Sequence, residues 1–279
     1  MNATAADPFS CASIGALVRH PAARVEHVAA WIARDAHPRL VPGRITEHLD
    51  NIADHPELDA PLAGDAHEQA ALLVHHLAIR LHFSGNSENY HDPENSYLDS
   101  VLRRRKGIPI SLAAIYIALA ERLGISASPI GFPGNLLVRI GDGETDGVLV
   151  DPFAGCIVHE RDLPDILKRT AGSEKTVKPE HLRPLNLSQF AQRMLMNLKL
   201  LHHAHRDYGQ AYLVTDRLVE LTASPELRRD RGLYALQLDA HRTAARDLAH
   251  YLLKRPTARD AKTVRQALQR SRNSAPHPN

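Results

Sequence analysis

The chain has 279 residues, 43% of them apolar and 24% charged, which is the composition of an ordinary globular protein with one large or two modest domains. Its 34 basic residues are nearly balanced by 32 acidic ones, so the formal net charge of +2 gives no strong overall field for nucleic acid or an anionic membrane. We therefore expect neither as a partner. No apolar run reaches the roughly 18 residues that a membrane span requires.

The two cysteines, Cys11 and Cys156, are too few for a disulfide framework, and no Cys-x-x-Cys pair suggests a zinc site or a dithiol redox site. A reducing cytoplasm is therefore the expected compartment. Residues 1–10 lack both a basic start and an apolar run, so no signal peptide is expected. Nothing in these features predicts a cofactor.

Residues 11–79 carry apolar side chains at helical intervals, which predicts a helical N-terminal region. The two groups with this spacing are Leu17, Val25, Val28, Ala29 and Ile32, and Leu72, Leu73, Leu77 and Ala78. Residues 50–64 contain prolines and a glycine among acidic residues, which favours a loop between helices. Residues 84–95, with a glycine, a proline and three asparagines, are expected to interrupt helical structure again.

Residues 108–123 predict a strong helix, with Pro109 in its first turn and Gly124 just past its end. Nearly every residue between positions 110 and 119 is apolar or small, so this helix should be buried on most sides. Short β-rich runs follow at residues 126–132, 136–140 and 148–150, separated by glycine-containing turns. They predict a small antiparallel sheet packed on the helix.

Beyond residue 184 the pattern is helical only, and it repeats. Residues 207–211 align with residues 240–244, which places Ala211 and Ala244 33 positions apart. The period and the small residues resemble tetratricopeptide repeats, although His241 replaces the usual aromatic residue of the second unit. Two helix pairs are expected, over residues 187–224 and 225–255, with a capping helix after residue 258.

Several separated motifs occur in order along the middle of the chain. They are Gly85-Asn86, Tyr-x-Asp-Pro-x-Asn-Ser-Tyr-Leu at residues 90–98, Gly-Ile-Pro-Ile-Ser-Leu at residues 107–112, Pro-Gly-Asn-Leu-Leu-Val-Arg at residues 133–139 and Asp-Pro-Phe at residues 151–153. Together they resemble the SirB-type branch of the transglutaminase-like superfamily. Members of that branch combine a transglutaminase-like core with tetratricopeptide-like repeats.

The resemblance implies an α+β fold that is mostly helical. We expect an N-terminal helical segment at residues 1–35 and a transglutaminase-like (papain-like) core with a small antiparallel sheet at residues 36–180. An all-α region of tetratricopeptide-like repeats is expected at residues 181–279.

In catalytic members of the superfamily a cysteine begins the central helix, a histidine lies on the next strand, and an aspartate lies on the strand after it. The resemblance maps these positions onto Ser111, Asn135 and Asp151. A thiol mechanism requires a thiolate formed beside an imidazole, and a serine depends even more on a base, whereas the Asn135 amide cannot accept a proton near neutral pH. We therefore expect no catalytic residue here, with Ser111 buried at a helix start and the three side chains in an inherited polar network.

Cys156 offers a second route to catalysis. It lies five residues after Asp151 on a predicted strand, with His159 nearby, although a small buried core cysteine is the expected outcome. The alternative function is accordingly a residual cysteine-type or serine-type amide hydrolase or acyl transferase that uses Ser111 or Cys156.

The chain has 18 histidines, and two groups of them raise the question of a metal site. These groups are His67, His75, His76, His82 and His91, and His202, His203 and His205. Neither group has the paired cysteine or carboxylate spacing that indicates a metal site, so they are interpreted as helix-surface and interface histidines and no metal is expected.

Two basic groups are expected to pair with acidic neighbours rather than to bind phosphate. The first is residues 103–106, and the second consists of Arg228, Arg229 and Arg231. With the nucleophile and base absent, the helical repeats favour a non-catalytic protein-binding or scaffolding role. A protein or peptide is the expected partner, bound by the repeat region.

Overall fold

The computed structural model describes residues 7–55, 58, 64–143, 147–172 and 176–274. The chain forms two compact units, Met1–Met194 and Leu195–Asn279. Within the described ranges, no helix has both the length and the apolar character needed to cross a membrane. The predicted α+β class, with a helical repeat region after the core, is confirmed.

The N-terminal part of the first unit is helical, as the apolar spacing predicts. Its helices are α1 (Ile14–Leu17), α2 (Val25–Ala36), α3 (Gly43–Ala53), α4 (Ala66–Val74), which continues as a π-helical turn at His75–Arg80, and α5 (Leu98–Arg104). Asp65 caps α4, since its side chain accepts hydrogen bonds from the backbone amides of His67 and Glu68. Of the predicted loop at residues 50–64, the first four residues belong to α3, and residues 56–57 and 59–63 lie outside the described residues.

Helix α6 (Pro109–Arg122) is the centre of this unit and confirms the helix predicted at residues 108–123. Pro109 occupies the first turn, where a missing amide proton leaves no hydrogen bond unmade, and Gly124 follows the helix with φ +69°. Residues 110–120 are all buried. Helices α2, α3, α4 and α5 pack around α6, which explains why its sequence has no polar stripe.

The sheet is antiparallel with the strand order β3-β4-β5-β6. Its strands are β3 (Ala127–Ile130), β4 (Leu137–Ile140), β5 (Val148–Asp151) and β6 (Cys156–Val158). The three predicted strands are confirmed. Helix α7 (Leu163–Ala171) covers one face, on which Leu137 and Leu149 lie, and α6 packs on the same strands from the other side. Burial of both faces accounts for the continuous apolar runs.

Residues 84–95 interrupt helical structure, as predicted. Strand β1 (Ser84–Gly85) pairs in parallel with β2 (Lys106–Gly107), directly before α6. A short 3₁₀ turn at Pro93–Asn95 then leads into α5. The segment therefore lies against the start of the central helix.

The second unit consists of helix pairs. Helix α8 (Leu187–Ala204) crosses the boundary between the two units, and it is followed by α9 (Tyr208–Leu221), α10 (Pro225–Gln237), α11 (His241–Lys254) and α12 (Ala261–Ser274). Both predicted pairs and the capping helix are confirmed. The buried side chains of α11 and α12 form a common apolar cluster that includes Leu248, Tyr251 and Val264.

The 33-residue period is visible in the backbone. Helices α9 and α11 begin 33 residues apart and end 33 residues apart. The left-handed residues before them, Arg206 at φ +58° and Asp239 at φ +56°, show the same separation, so the turn is repeated as well. Ala211 and Ala244 are both fully buried as the fourth residue of their helix. Small side chains are required there because neighbouring helices approach closely.

The arginines at the start of α10 bind acidic side chains. Arg231 makes two hydrogen bonds to the fully buried Asp247, at 2.6 and 2.8 Å, and a third to Asp216 at 2.6 Å. Arg229 binds Asp230 and Asp260 in the same way. The predicted pairing is confirmed for these two arginines.

Replacing the buried carboxylate tests how much this pairing stabilises the repeat region. Arg231 pairs with two carboxylates, those of Asp216 and Asp247, and Asp247→Asn removes one of these negative charges. We expect the free energy of unfolding to fall by about 3 kcal/mol. Urea denaturation followed by far-UV circular dichroism measures the change. Arg246→Gln is the matched control, since this exposed side chain lies 3.5 Å from the same aspartate and its loss should cost less than about 1 kcal/mol. Equal stability of Asp247→Asn and the wild type would contradict the assignment.

Candidate functional site

The candidate site lies where the start of β4 and the end of β5 meet. Val138 pairs with Val150 in this antiparallel ladder, so Asp151 falls opposite Leu137. Asn135, two residues before β4, is thereby brought beside Asp151. The chain between them turns back on itself, which is why residues 16 positions apart in sequence become neighbours.

The Asp151 carboxylate is 6% exposed and occupied by hydrogen bonds. One oxygen accepts from the side-chain amide of Asn135 at 3.0 Å. The other accepts from the backbone amides of Phe153 and Ala154, at 2.9 and 3.1 Å, and so fixes the turn after β5. These contacts make Asp151 a structural acceptor rather than a free base.

Asn135 is held by its own backbone and by a glycine turn. Its side-chain oxygen accepts from the amide of Leu136 at 2.8 Å, while its amide group points to Asp151. Gly134 adopts φ +70°, and a Cβ at this position would collide with the carbonyl oxygen of Thr170. Thr170 in turn donates to the carbonyl of Pro133 at 2.8 Å. The Pro-Gly-Asn motif is therefore accounted for by a tight turn against α7.

Ser111 is fully buried and bound to backbone groups. Its hydroxyl donates to the carbonyl of Asn95 at 2.5 Å and accepts from the amide of Ile108 at 3.1 Å. It makes no hydrogen bond to Asn135 or Asp151 in the described part of the chain. The three mapped positions thus do not form one polar network, because only Asn135 and Asp151 are brought together.

Ser111 belongs instead to a network of buried asparagines. Asn95 donates to the carbonyl of Asn89 at 2.7 Å, and its side-chain oxygen accepts from Asn86 at 2.9 Å. Asn86 also accepts from the amide of Asn89 at 3.1 Å. These bonds fold residues 86–95 into a fixed loop against α6. The Asn residues of the sequence motifs consequently have a structural explanation.

A cleft of about 580 Å³ opens beside Asn135 and Asp151. It is lined by Ser84, Gly85, Ser87, Tyr90, Lys106, Pro109, Gly134, Asn135, Asp151, Phe153, Ala154, Ile166, Arg169 and Thr170. Helix α6 contributes Pro109 to this lining and not Ser111, because two residues of a helix are separated by a rotation of about 200°. Among the described lining residues there is no imidazole and no thiol. The helix position that faces the cleft has no functional group.

One wall of the cleft is aromatic. The rings of Tyr90 and Phe153 meet edge to face with centroids 5.8 Å apart. Phe153 lies so close to Gly85 that a Cβ there would come within 2.5 Å of the ring. The Asp-Pro-Phe and Gly-Asn motifs are therefore coupled by this contact.

Cys156 is exposed, which contradicts the expectation of a buried core cysteine. It lies on β6 at the edge of the sheet, where no further strand covers it. A second cleft of about 540 Å³ contains it and shares Asp151, Ala154 and Arg169 with the first.

The surroundings of Cys156 do not favour a thiolate. Partial burial, followed by the negative charges of Asp151 and Asp162, raises the pKa of the Cys156 thiol. His159 lies three residues further along extended chain, so its side chain points to the opposite face and lines a different cleft. The structure therefore does not pair this cysteine with a base.

Tyr116 is a polar residue near the site that the sequence pattern did not single out. It lies in the apolar run of α6 and is fully buried, and its hydroxyl has no hydrogen-bond partner among the described residues. Burial, with smaller contributions from Cys156 and Asp151, raises the pKa of Tyr116. It remains a neutral phenol at physiological pH and cannot replace the missing base.

The histidine groups do not converge on a metal-binding geometry. Across residues 7–274 as far as they are described, no set of three or more His, Cys, Asp or Glu side chains could hold an ion. His76 is buried and lies 3.2 Å from the carbonyl of Ile52, and His203 lies 3.1 Å from the hydroxyl of Tyr234.

Of the basic residues at 103–106, Arg104 pairs with Asp92 at 2.7 Å and Lys106 donates to Ser84 at 2.9 Å.

Introduced cysteines at two positions of α6 can verify which one faces the cleft. In a background in which Cys11 and Cys156 are replaced by serine, Pro109→Cys should react with a maleimide at least about tenfold faster than Ser111→Cys, because only the former reaches solvent. Mass spectrometry of timed samples gives both rates. In urea the two thiols should react alike. Rapid native labelling of Ser111→Cys would contradict the geometry.

The pKa of Cys156 gives a second prediction. Iodoacetamide reacts with the thiolate form of cysteine, so the alkylation rate rises with pH as the thiol loses its proton. The midpoint of this rise, the pH of half-maximal rate, should be higher for Cys156 than for a free cysteine peptide. Asp162→Asn removes a nearby negative charge and should move the midpoint to lower pH. Asp165→Asn, in the same cleft, is the matched control and should move it less. A midpoint below that of the peptide would indicate an activated thiol instead.

Comparisons with known proteins agree with this architecture. A family model described as "Transglutaminase-like superfamily" matches residues 43–196, and one described as "Tetratricopeptide repeat" matches residues 198–269. The first match covers more than half of the chain.

Curated relatives are bacterial proteins. A UPF0162 protein of Xylella fastidiosa (strain 9a5c) is 34% identical over 244 residues, which cover 85% of this chain and 86% of that protein. A UPF0162 protein of Vibrio cholerae is 33% identical over 61% of this chain and 63% of its own length. Protein SirB1 of Salmonella typhimurium is 30% identical over 57% of this chain and 60% of its own length. No solved structure matches. The chain therefore belongs to the transglutaminase-like superfamily, in its SirB-type branch with C-terminal tetratricopeptide repeats.

Proposed function

We propose that this protein is a non-catalytic, protein-binding member of its family, a pseudoenzyme whose repeat region binds a protein or peptide partner. The observation that carries the proposal is the composition of the cleft. Its only carboxylate among the described lining residues, Asp151, is engaged by Asn135 and two backbone amides, and those lining residues include no cysteine and no histidine. The Cys156 thiol, across the strand ladder from Asp151, belongs to the neighbouring cleft.

Acyl transfer would require three functions that this cleft does not assemble. A nucleophile must face the substrate, a base must accept its proton, and the base must be oriented by a third group. Pro109 faces the cleft in place of a nucleophile, and Asn135 has no basic nitrogen. The alternative, a residual hydrolase or acyl transferase, is left with Cys156, whose pKa is raised rather than lowered. These features support the non-catalytic proposal over the alternative.

The repeat region has the exposed apolar surface that a partner requires. The large hydrophobic residues that are exposed in the described chain are Val41, Ile79, Tyr90, Met196, Leu200, Leu213, Leu238 and Leu253. Five of the eight lie in the second unit, which is under a third of the chain, so apolar surface is concentrated there. Tetratricopeptide repeats commonly mediate contacts between proteins, and exposed leucines are a usual means of doing so.

We assign the inherited core to residues 36–180 and the binding module to residues 181–279, with residues 1–35 as a helical extension of the core. The cytoplasm is the compartment we propose. Both cysteines are free thiols, and one of them is exposed, which suits a reducing environment.

Removal of exposed leucines tests the proposal. Full-length protein is immobilised, incubated with a lysate of the source cells, crosslinked and analysed by quantitative mass spectrometry. Leu200→Asn with Leu213→Asn should reduce retention of a specific partner by at least about tenfold, since buried apolar anchors dominate binding. Val41→Asn with Ile79→Asn changes two apolar residues of the first unit that are at least as exposed as Leu200 and Leu213, and it should leave retention unchanged. If the variant with both leucines replaced retains every captured protein as well as the Val41 and Ile79 control does, the repeat region is not the binding surface.

A further inference from the structure

Positive charge is concentrated at the C-terminal end of the chain. Residues 240–274 contain nine arginines and lysines but only two aspartates, a formal charge of +7, whereas the whole chain carries +2. The remaining residues are therefore negative by 5. The whole chain is nearly neutral, but residues 240–274 form a strongly basic region.

The two aspartates of this region compensate little of the charge at the surface, because both bind arginines of α10. Asp247 is fully buried and bound to Arg231. Asp260 accepts hydrogen bonds from Arg229 and from the hydroxyl of Tyr251, both at 2.6 Å. Their charges are directed mainly at Arg229 and Arg231 of α10, and Asp247 also lies 3.5 Å from Arg246.

The basic side chains, by contrast, point outward. Along α12 the buried residues are Ala261, Val264, Ala267, Leu268 and Ser271, and all residues between them are exposed. The exposed positions contain Lys262, Arg265, Arg270 and Arg272, together with uncharged polar residues and no acid. Because 3.6 residues complete a turn, these residues occupy the side of the helix opposite the core.

Helix α11 also has exposed arginines on its outward side. Arg242, Arg246 and Leu253 are exposed and fall within about 40° of one another around the helix axis, opposite the buried Leu248 and Tyr251. Leu253 is 77% exposed, which makes it the most exposed large hydrophobic residue in the described chain. We call these outward sides of α11 and α12 the basic face.

Most of the basic face has no counter-charge among the residues that the structure describes. Arg255 pairs with Glu226 at 2.9 Å, and Arg246 lies 3.5 Å from Asp247. Within the described residues, the seven other cations have no acidic side chain within ion-pair distance: Arg242, Lys254, Arg259, Lys262, Arg265, Arg270 and Arg272. A surface with this many uncompensated charges attracts a ligand of opposite sign.

We propose that the basic face binds an acidic protein segment that also carries apolar side chains. This inference rests on the proposed protein-binding function and specifies the chemistry of the partner. Carboxylates of the segment would pair with the arginines and lysines, and its apolar side chains would cover Leu253. The planar guanidinium group is suited to carboxylate recognition through two parallel hydrogen bonds.

Two observations favour a protein over nucleic acid. The only aromatic residue in the region, Tyr251, is 2% exposed, so no platform exists on which bases could stack. A phosphate backbone would also leave Leu253 uncovered, whereas a segment with mixed acidic and apolar side chains would cover it.

The test uses a fluorescent peptide of about 20 residues in which glutamates alternate with leucines in a Glu-Glu-Leu-Glu pattern. Its affinity for full-length protein is measured by anisotropy at about 50 and about 300 mM salt. We expect binding that weakens with salt and falls at least about tenfold in Arg242→Glu with Arg246→Glu and in Lys262→Glu with Arg265→Glu. Arg19→Glu with Arg39→Glu makes the same charge change at exposed positions of the first unit and should alter affinity less than about twofold.

Contact at the predicted place is mapped separately. Zero-length carbodiimide crosslinks should join peptide glutamates to Lys254 and Lys262. Absence of binding, equal binding by the charge-reversed variants, or crosslinks confined to other lysines would each overturn the proposal. So would stronger binding of duplex DNA or of vesicles containing phosphatidylglycerol, because either would assign the basic face to a phosphate-bearing partner.

The two proposals can fail independently. A partner that is lost from the Leu200 and Leu213 variant but is retained by the charge-reversed variants would uphold protein binding and exclude the basic face. A partner whose crosslinked segment is acidic and whose retention depends on Lys262 and Arg265 would support both.

Discussion

The buried hydrogen bond from Ser111 to the backbone of Asn95 is the constraint on which the first unit depends. It joins the first turn of α6 to a loop that is far from it in sequence, and the same asparagine holds that loop in shape through Asn86 and Asn89. This loop carries Tyr90 into the cleft wall, so the hydroxyl links the start of the central helix to the shape of the cleft. The backbone amide of Ile108 donates to the same Asn95 carbonyl at 3.3 Å, and a buried serine in this role acts as a hydrogen-bonding group.

Asp151 and Asn135, which line the cleft, are likewise engaged by hydrogen bonds within the fold. A carboxylate that orients an imidazole must keep an oxygen available for it, but here both oxygens of Asp151 are used within the protein. Asn135 satisfies the oxygen that would otherwise be unpaired, and the turn amides satisfy the second. Once each polar atom has a partner in the fold, the arrangement is stable without any substrate, and selection can preserve it for packing alone. Retained motifs in such a family therefore indicate shared architecture more reliably than shared chemistry.

Much of this architecture is predictable from the sequence, because the elements carry strong local signals. The apolar run between Pro109 and Gly124 specifies a buried helix, glycine turns separate the strands, and Ala211 with Ala244 marks the repeat. The details of the site are less accessible. Whether Pro109 or Ser111 faces the cleft depends on the rotation of α6 about its axis, which packing on several helices sets and no local pattern encodes. The exposure of Cys156 likewise depends on β6 being an edge strand, and edges are decided by what packs beside them.

The internal use of acidic side chains in the repeat region has a physiological consequence. Asp216, Asp247 and Asp260 all neutralise arginines of α10, so the outward charge comes from arginine and lysine alone, seven of the nine basic residues at positions 240–274 being arginine. Osmotic stress, which changes the concentration of intracellular salt, would therefore shorten or extend the distance over which this field attracts a ligand. The C-terminal helices are thus built so that their attraction for an acidic segment follows ionic strength.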